Sequence, residues 1–271
     1  MNATATQLTF TLNGESIAPQ CNPATTLLQY LQQSGRTGTK QGCGDGDCGA
    51  CTVALIGTDA NGKPSYQAVN SCLIPLGSVA GRAIVTVEGI ANGSLHPVQA
   101  AMVETGGSQC GYCTPGFIMS LFAAYYDGRV DDAAVEGNLC RCTGYLSIRK
   151  AAERVTNAQP NDTFAHQLQQ ADCTPIALHY SSVHEFYRPT SLGEAIALLQ
   201  QHPDATLVAG ATDLGLDMSH SRRTFATLIS IEALPELLQI DQTSDRVEIG
   251  AAVPLSHIES RLHGVFPALD S

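Results

Sequence analysis

Basic residues are scarce in this chain: 14 Lys plus Arg stand against 25 Asp plus Glu, for a formal charge of −11 at pH 7. A pI of about 5.0 leaves no basic footprint for a phosphate backbone, so nucleic-acid binding is excluded. No run of about 18 apolar residues occurs, and no membrane span is expected. The opening Met1-Asn2-Ala3-Thr4-Ala5-Thr6 has neither a positive start nor an apolar core. It is not expected to act as a secretory signal, and the chain is placed in the cytoplasm. Charged residues make up only 14% and apolar residues 44%, a globular composition rather than a disordered or fibrous one. Internal repeats, low-complexity tracts, a Walker loop, paired carboxylates and a Ser-His-Asp grouping are all missing. The eight histidines are scattered without a His-x-x-x-His pair, so none is assigned to metal.

Cysteine, by contrast, is plentiful, with ten in 271 residues. A reducing compartment keeps thiols unpaired, so cysteines at short spacings point to metal rather than to a disulfide framework. Eight fall into two groups of four. Cys21 and Cys173 stand apart and read as ordinary thiols.

The length suggests about two domains. Leu8, Phe10 and Leu12 alternate with polar residues up to Asn13-Gly14, a hairpin turn signal, and Glu15 to Ala18 can return. Thr26–Gln33 reads as a short helix, and Thr52–Ile56 and Ile84–Val87 as strands, the first followed by an Asn61-Gly62 turn. Phe117, Ile118, Leu121, Phe122 and Tyr125 then recur at helical spacing between Thr114-Pro115 and Gly128. Helices are also expected around Leu95–Glu104, Asp131–Glu136 and Ile148–Val155. Residues 157–180 turn to Gln, Asn, Asp and Thr and read as a linker. Beyond them a helix over Ala195–Gln201 carries the Ser191…Glu194 capping pattern. Strands are expected at Thr206–Ala209, Leu228–Ile231 and Val247–Gly250, followed by a further helix. Arg222-Arg223 reads as part of a solvated loop.

Cys43, Cys48 and Cys51 are spaced C-x4-C-x2-C, and Cys72 follows after twenty residues. This is the spacing of plant-type 2Fe–2S sites. Three thiolates converging from one loop need close backbone approach, which Gly42, Gly44, Gly46 and Gly49 permit. Structural zinc also takes four thiolates, but from paired C-x2–4-C knuckles, so iron–sulfur is the expectation here. Asp45 and Asp47 are either solvated loop carboxylates or tuners of the cluster potential. The second group is Cys110-x2-Cys113 and Cys140-x-Cys142, with twenty-six residues between the pairs. Taken alone it suits zinc and a cluster about equally.

Gln109-Cys110-Gly111-Tyr112-Cys113-Thr114-Pro115-Gly116 and Gly137-Asn138-Leu139-Cys140-Arg141-Cys142-Thr143-Gly144-Tyr145 resemble the two signatures of the helical iron–sulfur domain of molybdenum hydroxylases. These are the xanthine dehydrogenase, aldehyde oxidase and carbon monoxide dehydrogenase family. Gly42–Cys51 resembles its ferredoxin-like domain. Leu207-Val208-Ala209-Gly210-Ala211-Thr212-Asp213-Leu214 is similar to the flavin loop of its FAD domain, Phe186–Ser191 to that domain's opening, and Ile249–Leu255 to a later stretch. Without the family, an ordinary strand-to-helix connection at Gly210 is the preferred reading of that loop.

The resemblance implies a multidomain α+β chain. Its parts are a β-grasp 2Fe–2S domain over residues 1–90, an all-α four-helix 2Fe–2S domain over 91–156, the linker, and the start of an α+β FAD-binding domain over 181–271. It implies two 2Fe–2S clusters, one on Cys43, Cys48, Cys51 and Cys72 and one on Cys110, Cys113, Cys140 and Cys142. FAD is expected at Leu207–Leu214, and Gln109 and Cys142 beside a molybdopterin held by a large partner subunit. The chain would be the small electron-transfer subunit of a hetero-oligomeric oxidoreductase. Electrons would run from molybdenum through both clusters to FAD and NAD, with no catalytic residue here. The domain order favours xanthine, with aldehyde, carbon monoxide or an aromatic N-heterocycle as alternatives. In a different class stands a zinc-stabilised interaction module, and a free ferredoxin-type carrier is a third reading. The Cys113–Cys140 gap is shorter than in many members of the family. Its flavin domain continues past the position of Ser271, which implies a fragment or completion by another polypeptide.

Overall fold

A computed structural model describes residues 4–91, 93–156, 160–221 and 223–266. Met1–Ala3 of the opening segment, and Arg222 of the expected Arg222-Arg223 loop, lie outside them. Arg223 pairs with Asp217 at 3.0 Å and lies over the Phe225 ring.

The hairpin of β1 (Phe10–Leu12) and β2 (Glu15–Ile17) turns through Asn13 and Gly14, both at positive φ (51° and 87°), as a tight two-residue turn requires. Helix α1 (Leu27–Gln33) starts at Thr26, which accepts from the Gln29 amide while Gln29 returns a bond to the Thr26 amide, and it buries Leu27, Leu28 and Leu31. β3 (Thr52–Thr58), β4 (Pro64–Asn70) and β5 (Ala83–Val85) complete a five-stranded sheet of order β2-β1-β5-β3-β4. Only the β1–β5 pair is parallel. A mixed sheet with one helix in its core is the ferredoxin-like arrangement expected. The β4 strand was not expected. Its sequence, PSYQAVN, buries only Tyr66 fully, and its order comes from register with β3.

Three helices follow: α2 (Pro97–Glu104), α3 (Thr114–Asp127) and α4 (Leu146–Val155). Cys113 stands at the N-cap of α3, Thr114 is its first helical residue, and it stops at Gly128 with φ 79°. Its Phe117, Ile118, Leu121 and Phe122 share one core with Ala54, Ile56 and Tyr66 of the sheet. Asp131–Glu136, expected as a helix, forms only a 3-10 turn at Ala133–Val135.

Part of the segment expected as a linker over 157–180 is regular structure. Residues 163–170 form helix α5 (Thr163–Gln170), capped by Asp162, whose carboxylate accepts from the Phe164 and Ala165 amides. Phe164 packs edge-on to Phe122 with centroids 5.1 Å apart, and its carbonyl accepts from the Tyr66 hydroxyl. The four helices of the expected bundle are reached only by counting α5. Its apolar stripe is just Phe164 and Leu168, too little periodicity to stand out against the polar composition.

A buried hydrogen-bonded chain ties α5 to α2 and α3. His96, 5% exposed, caps α2 by accepting the Val98 amide at Nδ1. Its Nε2–H is therefore free to donate to Tyr126 at 2.9 Å, and Tyr126 donates to Asp162 at 2.6 Å. Burial depresses the His96 pKa to about 4, against the opposing pull of Asp162. The unfolded chain binds this proton near pH 6.5 and the folded one does not, so stability is full above that pH and lost as pH falls towards about 4. Urea melts across this window should show the decline, and His96→Gln should flatten it while lowering stability at neutral pH.

The last part builds a four-stranded sheet of order β6-β7-β9-β8. β6 (Leu178–Ser181) and β7 (Glu185–Arg188) form a hairpin, helix α6 (Leu192–Gln201) leads to β8 (Thr206–Val208), and α7 (Leu214–Ser219) leads to β9 (Thr227–Ser230). β7, β8 and β9 run parallel. A β10 (Ile240–Gln242) and β11 (Val247–Ile249) hairpin and helix α8 (Leu255–Arg261) follow. This sheet does not fold around a separate core. Leu178, Phe186, Val208 and Leu228 pack with Leu8, Leu76, Val79 and Ile84 of the ferredoxin-like part. Ala5 bridges to Leu178, and Gly77 lies so close under the Phe186 ring that a Cβ there would overlap it. Arg188, 1% exposed, reaches across to the carbonyls of Ile176, Ser78 and Ala80. Among the described residues, no helix is long and apolar enough to cross a membrane.

Candidate metal centres

The loop 42–51 between α1 and β3 carries three cysteines, and Cys72 lies just after β4. Cys43 and Cys48 face each other: the Cys43 amide donates to Cys48 Sγ at 3.2 Å, and the Cys48 amide to Cys43 Sγ at 3.3 Å. Gly46 takes φ 88°, with its carbonyl held at 2.7 Å by the Asn70 amide at the end of β4. Cys51 and Cys72, both buried, form the second pair. The Cys72 thiol beside Cys51 draws the Cys51 pKa down to about 7, and Cys72 is pushed up by the same contact and by burial. Burial, followed by the Asp45 contact, raises Cys43. The Cys43 thiol in turn holds the Asp45 carboxyl below the usual carboxylate range, aided by the Asp47 amide and His220.

The second group assembles from the turn between α2 and α3 and the loop before α4. Cys113 pairs with Cys140: burial, then the Cys140 thiol, raises Cys113 to about 12. Burial alone would raise Cys140 as well, but bonds from Thr143 and nearby amides outweigh it and lower the thiol. Thr143 Oγ1 lies 3.1 Å from Cys140 Sγ, and the Cys140 amide donates to the Tyr145 hydroxyl at 2.9 Å. Cys110 and Cys142 are the other pair, and both are exposed, as is Gln109 beside them.

The eight thiols thus stand two by two. Among the described residues no three His, Cys, Asp or Glu gather around a single-ion position. A mononuclear zinc site needs four ligands converging on one centre, whereas a two-iron cluster takes two thiolates on each iron. All-sulfur donor sets of four suit the two-iron group in both places. Cys21 and Cys173 are not part of either. The Cys21 carbonyl accepts from Tyr180, and Cys173 Sγ donates to the Gly57 carbonyl.

The loop expected to meet flavin runs from the end of β8 into α7. Leu207 and Val208 close the strand, Ala209–Asp213 turn, and Leu214 opens the helix. The left-handed residue is Ala211, φ 58°, not Gly210, which lies exposed in open space. The glycine therefore marks the turn without supplying its conformation. What the sequence did not reveal is where α7 goes. Leu216 packs on Leu28, Cys51, Cys72 and Leu73, and Gly215 lies against the Leu73 backbone. Ser219 donates to the Gly44 carbonyl, and His220 Nε2 lies 3.6 Å from Asp45 Oδ2. The helix leaving the flavin-like loop thus covers the first cysteine set. No local signal links residues 175 apart in the chain, and so none could have shown this.

Three family profiles match in succession: a 2Fe-2S iron-sulfur cluster binding domain over residues 10–76, a 2Fe-2S binding domain over 86–153, and an FAD binding domain in molybdopterin dehydrogenase over 180–271. The class is an iron–sulfur chain joined to a flavin domain. Xanthine dehydrogenase 1 of Arabidopsis thaliana is 33% identical over 301 residues, covering 86% of this chain and 22% of the relative. Aldehyde oxidase 2 of Cavia porcellus is 33% identical over 316 residues, covering 94% and 24%. Among solved structures, the aldehyde oxidoreductase from Desulfovibrio gigas is 36% identical, covering 56% of this chain and 17% of that one, with a TM-score of 0.48. The iron–sulfur and FAD-binding domains of this chain are those of the xanthine dehydrogenase and aldehyde oxidase family. The chain spans less than a quarter of the length of the curated relatives it matches.

Proposed function

We propose that this chain is the electron-transfer part of a molybdenum hydroxylase, with one 2Fe–2S cluster held by Cys43, Cys48, Cys51 and Cys72 and another by Cys110, Cys113, Cys140 and Cys142. The observation that carries this reading is the glycine-bearing loop in which the Cys43 and Cys48 amides each donate to the other's sulfur, within the first of two segments that match 2Fe-2S binding domains. When bound, such clusters supply one-electron carriers. The chain's own residues orient them. Amides of the 42–51 loop point at sulfur, Thr143 and Tyr145 brace Cys140, and α7 shields Cys51 and Cys72 from water.

Exposure gives the assembly a direction. Gln109, Cys110 and Cys142 are open, with exposed Leu139 and Leu146 beside them, which suits a molybdopterin-bearing partner on that side. Leu207–Leu214 lie at the head of α7, next to the covered set, and would hold FAD, the group that would supply hydride chemistry towards NAD. The xanthine dehydrogenases among the relatives support xanthine as the partner's substrate, and the aldehyde oxidase match keeps aldehydes as the second reading. Ten cysteines free of disulfides suit the reducing cytoplasm.

Anaerobic reconstitution with iron and sulfide tests the proposal. About four irons per chain and two separable paramagnetic signals after dithionite are expected. A colourless, folded, zinc-loaded chain would refute it. Purification with its partner, followed by xanthine-dependent and aldehyde-dependent NAD reduction, decides the substrate.

A further inference from the structure

The two cysteine-bearing loops meet on a single peptide group, the Gly49 carbonyl between Cys48 and Cys51. It accepts from the Thr52 hydroxyl at 2.7 Å and the Thr52 amide at 3.1 Å. From the other loop the Asn138 side-chain amide donates to it at 3.0 Å and lies 3.4 Å from Thr52 Oγ1. Asn138 is 3% exposed, and its Oδ1 is buried with no hydrogen-bond partner. The orientation is therefore fixed by the donor. Turning the amide over would set Oδ1 against the Gly49 carbonyl and against a hydroxyl whose proton is already committed.

Contact at this point is too close for side chains. A Cβ on Gly49, itself at φ 65°, would collide with Asn138 and the Gly137 carbonyl, and a Cβ on Gly116, in the first turn of α3, would collide with the Gly49 carbonyl. Beside it, the Leu139 amide donates to the Cys48 carbonyl at 3.0 Å. Asn138 lies two residues before Cys140, and Gly49 one residue after Cys48. A shift at this junction moves one ligand set relative to the other.

We infer that Asn138 is a positioning residue: through the Gly49 carbonyl it fixes the separation between the two cysteine sets. The inference rests on the two-cluster reading above, and it concerns spacing rather than ligation. Ligands on either side can each hold their iron while their separation drifts.

Two variants act on the same carbonyl in opposite ways. Asn138→Ala removes the donor and leaves a gap. Gly116→Ala suits the helix locally but drives a methyl into the junction. In the doubly reduced reconstituted chain, two paramagnetic centres split each other's lines, and the splitting falls steeply with distance. Both variants are expected to retain iron and both signals while the splitting changes from that of the unaltered chain. In the metal-free chain, hydrogen exchange read by mass spectrometry should show the Leu139 amide about tenfold faster in Asn138→Ala, as loss of one buried hydrogen bond requires. Unchanged splitting together with unchanged Leu139 protection would overturn the inference. If Asn138→Ala loses iron from one set, Gly116→Ala decides, and an unaltered splitting there refutes the assignment. If the unaltered chain takes up no iron, the two-cluster reading fails by itself. The exchange measurement then still decides Asn138, with faster Leu139 exchange supporting the lock and persistent protection refuting it.

Discussion

Cys110→Ser is expected to extinguish one of the two paramagnetic signals and leave the other intact, with iron falling from about four to about two per chain. Cys110 is exposed and pairs only with the thiols of the second set. Serine is nearly its size, so packing should be undisturbed. The first set comes from different segments, the 42–51 loop and the turn after β4, and its own pairs do not involve Cys110. A hydroxyl is a poor substitute for a thiolate on iron, so the second cluster should be lost rather than weakened. Loss of both signals, or of neither, would show that the eight cysteines are divided wrongly. Iron analysis and low-temperature spectroscopy of the same sample are sufficient.

Arg188→Met should cost about 3–5 kcal/mol of stability, the range for breaking a buried charged network from one side. Its guanidinium donates to Ile176 O at 2.9 Å, Ser78 O at 3.3 Å and Ala80 O at 2.6 Å, and lies 3.4 Å from Glu232. Met fills the length but donates nothing, so the buried Ser78 and Ala80 carbonyls and the part-buried Ile176 carbonyl lose this donor at once. Glu232 keeps Arg82 at 3.3 Å, so the loss should come mainly from the carbonyls. Arg188→Lys, with one compact ammonium in place of a planar fork, should recover part of the loss. Urea unfolding at constant m-value measures both. A change below about 1 kcal/mol in Arg188→Met would mean that the network contributes no more than a surface pair.

What could be read from the sequence was what short segments decide alone. Asn13-Gly14 adopts the left-handed pair that its residue types favour, and Gly128 ends α3 at φ 79°. The cysteine spacing announced iron–sulfur chemistry because three ligands of the first set lie within one loop. Segments ordered by distant partners were not legible. β4 exists through its register with β3, α5 through the pocket that Tyr66, Phe122 and Tyr126 offer to Phe164. The left-handed residue of the flavin-like loop falls on Ala211 rather than Gly210, against residue preference. α7 lies on the first cysteine set through Leu216, Ser219 and His220, none of which any pattern marked. For the candidate site, the grouping of the cysteines was therefore visible, but the residues packed around them were not.

The common packing of Leu8, Leu76 and Val79 with Phe186 and Leu228 bears on biosynthesis. During translation the amino-terminal sheet leaves the ribosome with an oily flank uncovered until strands more than a hundred residues later emerge. The nascent polypeptide must carry that sticky surface through synthesis, so assembly of the metal groups has to compete with aggregation for the half-finished chain.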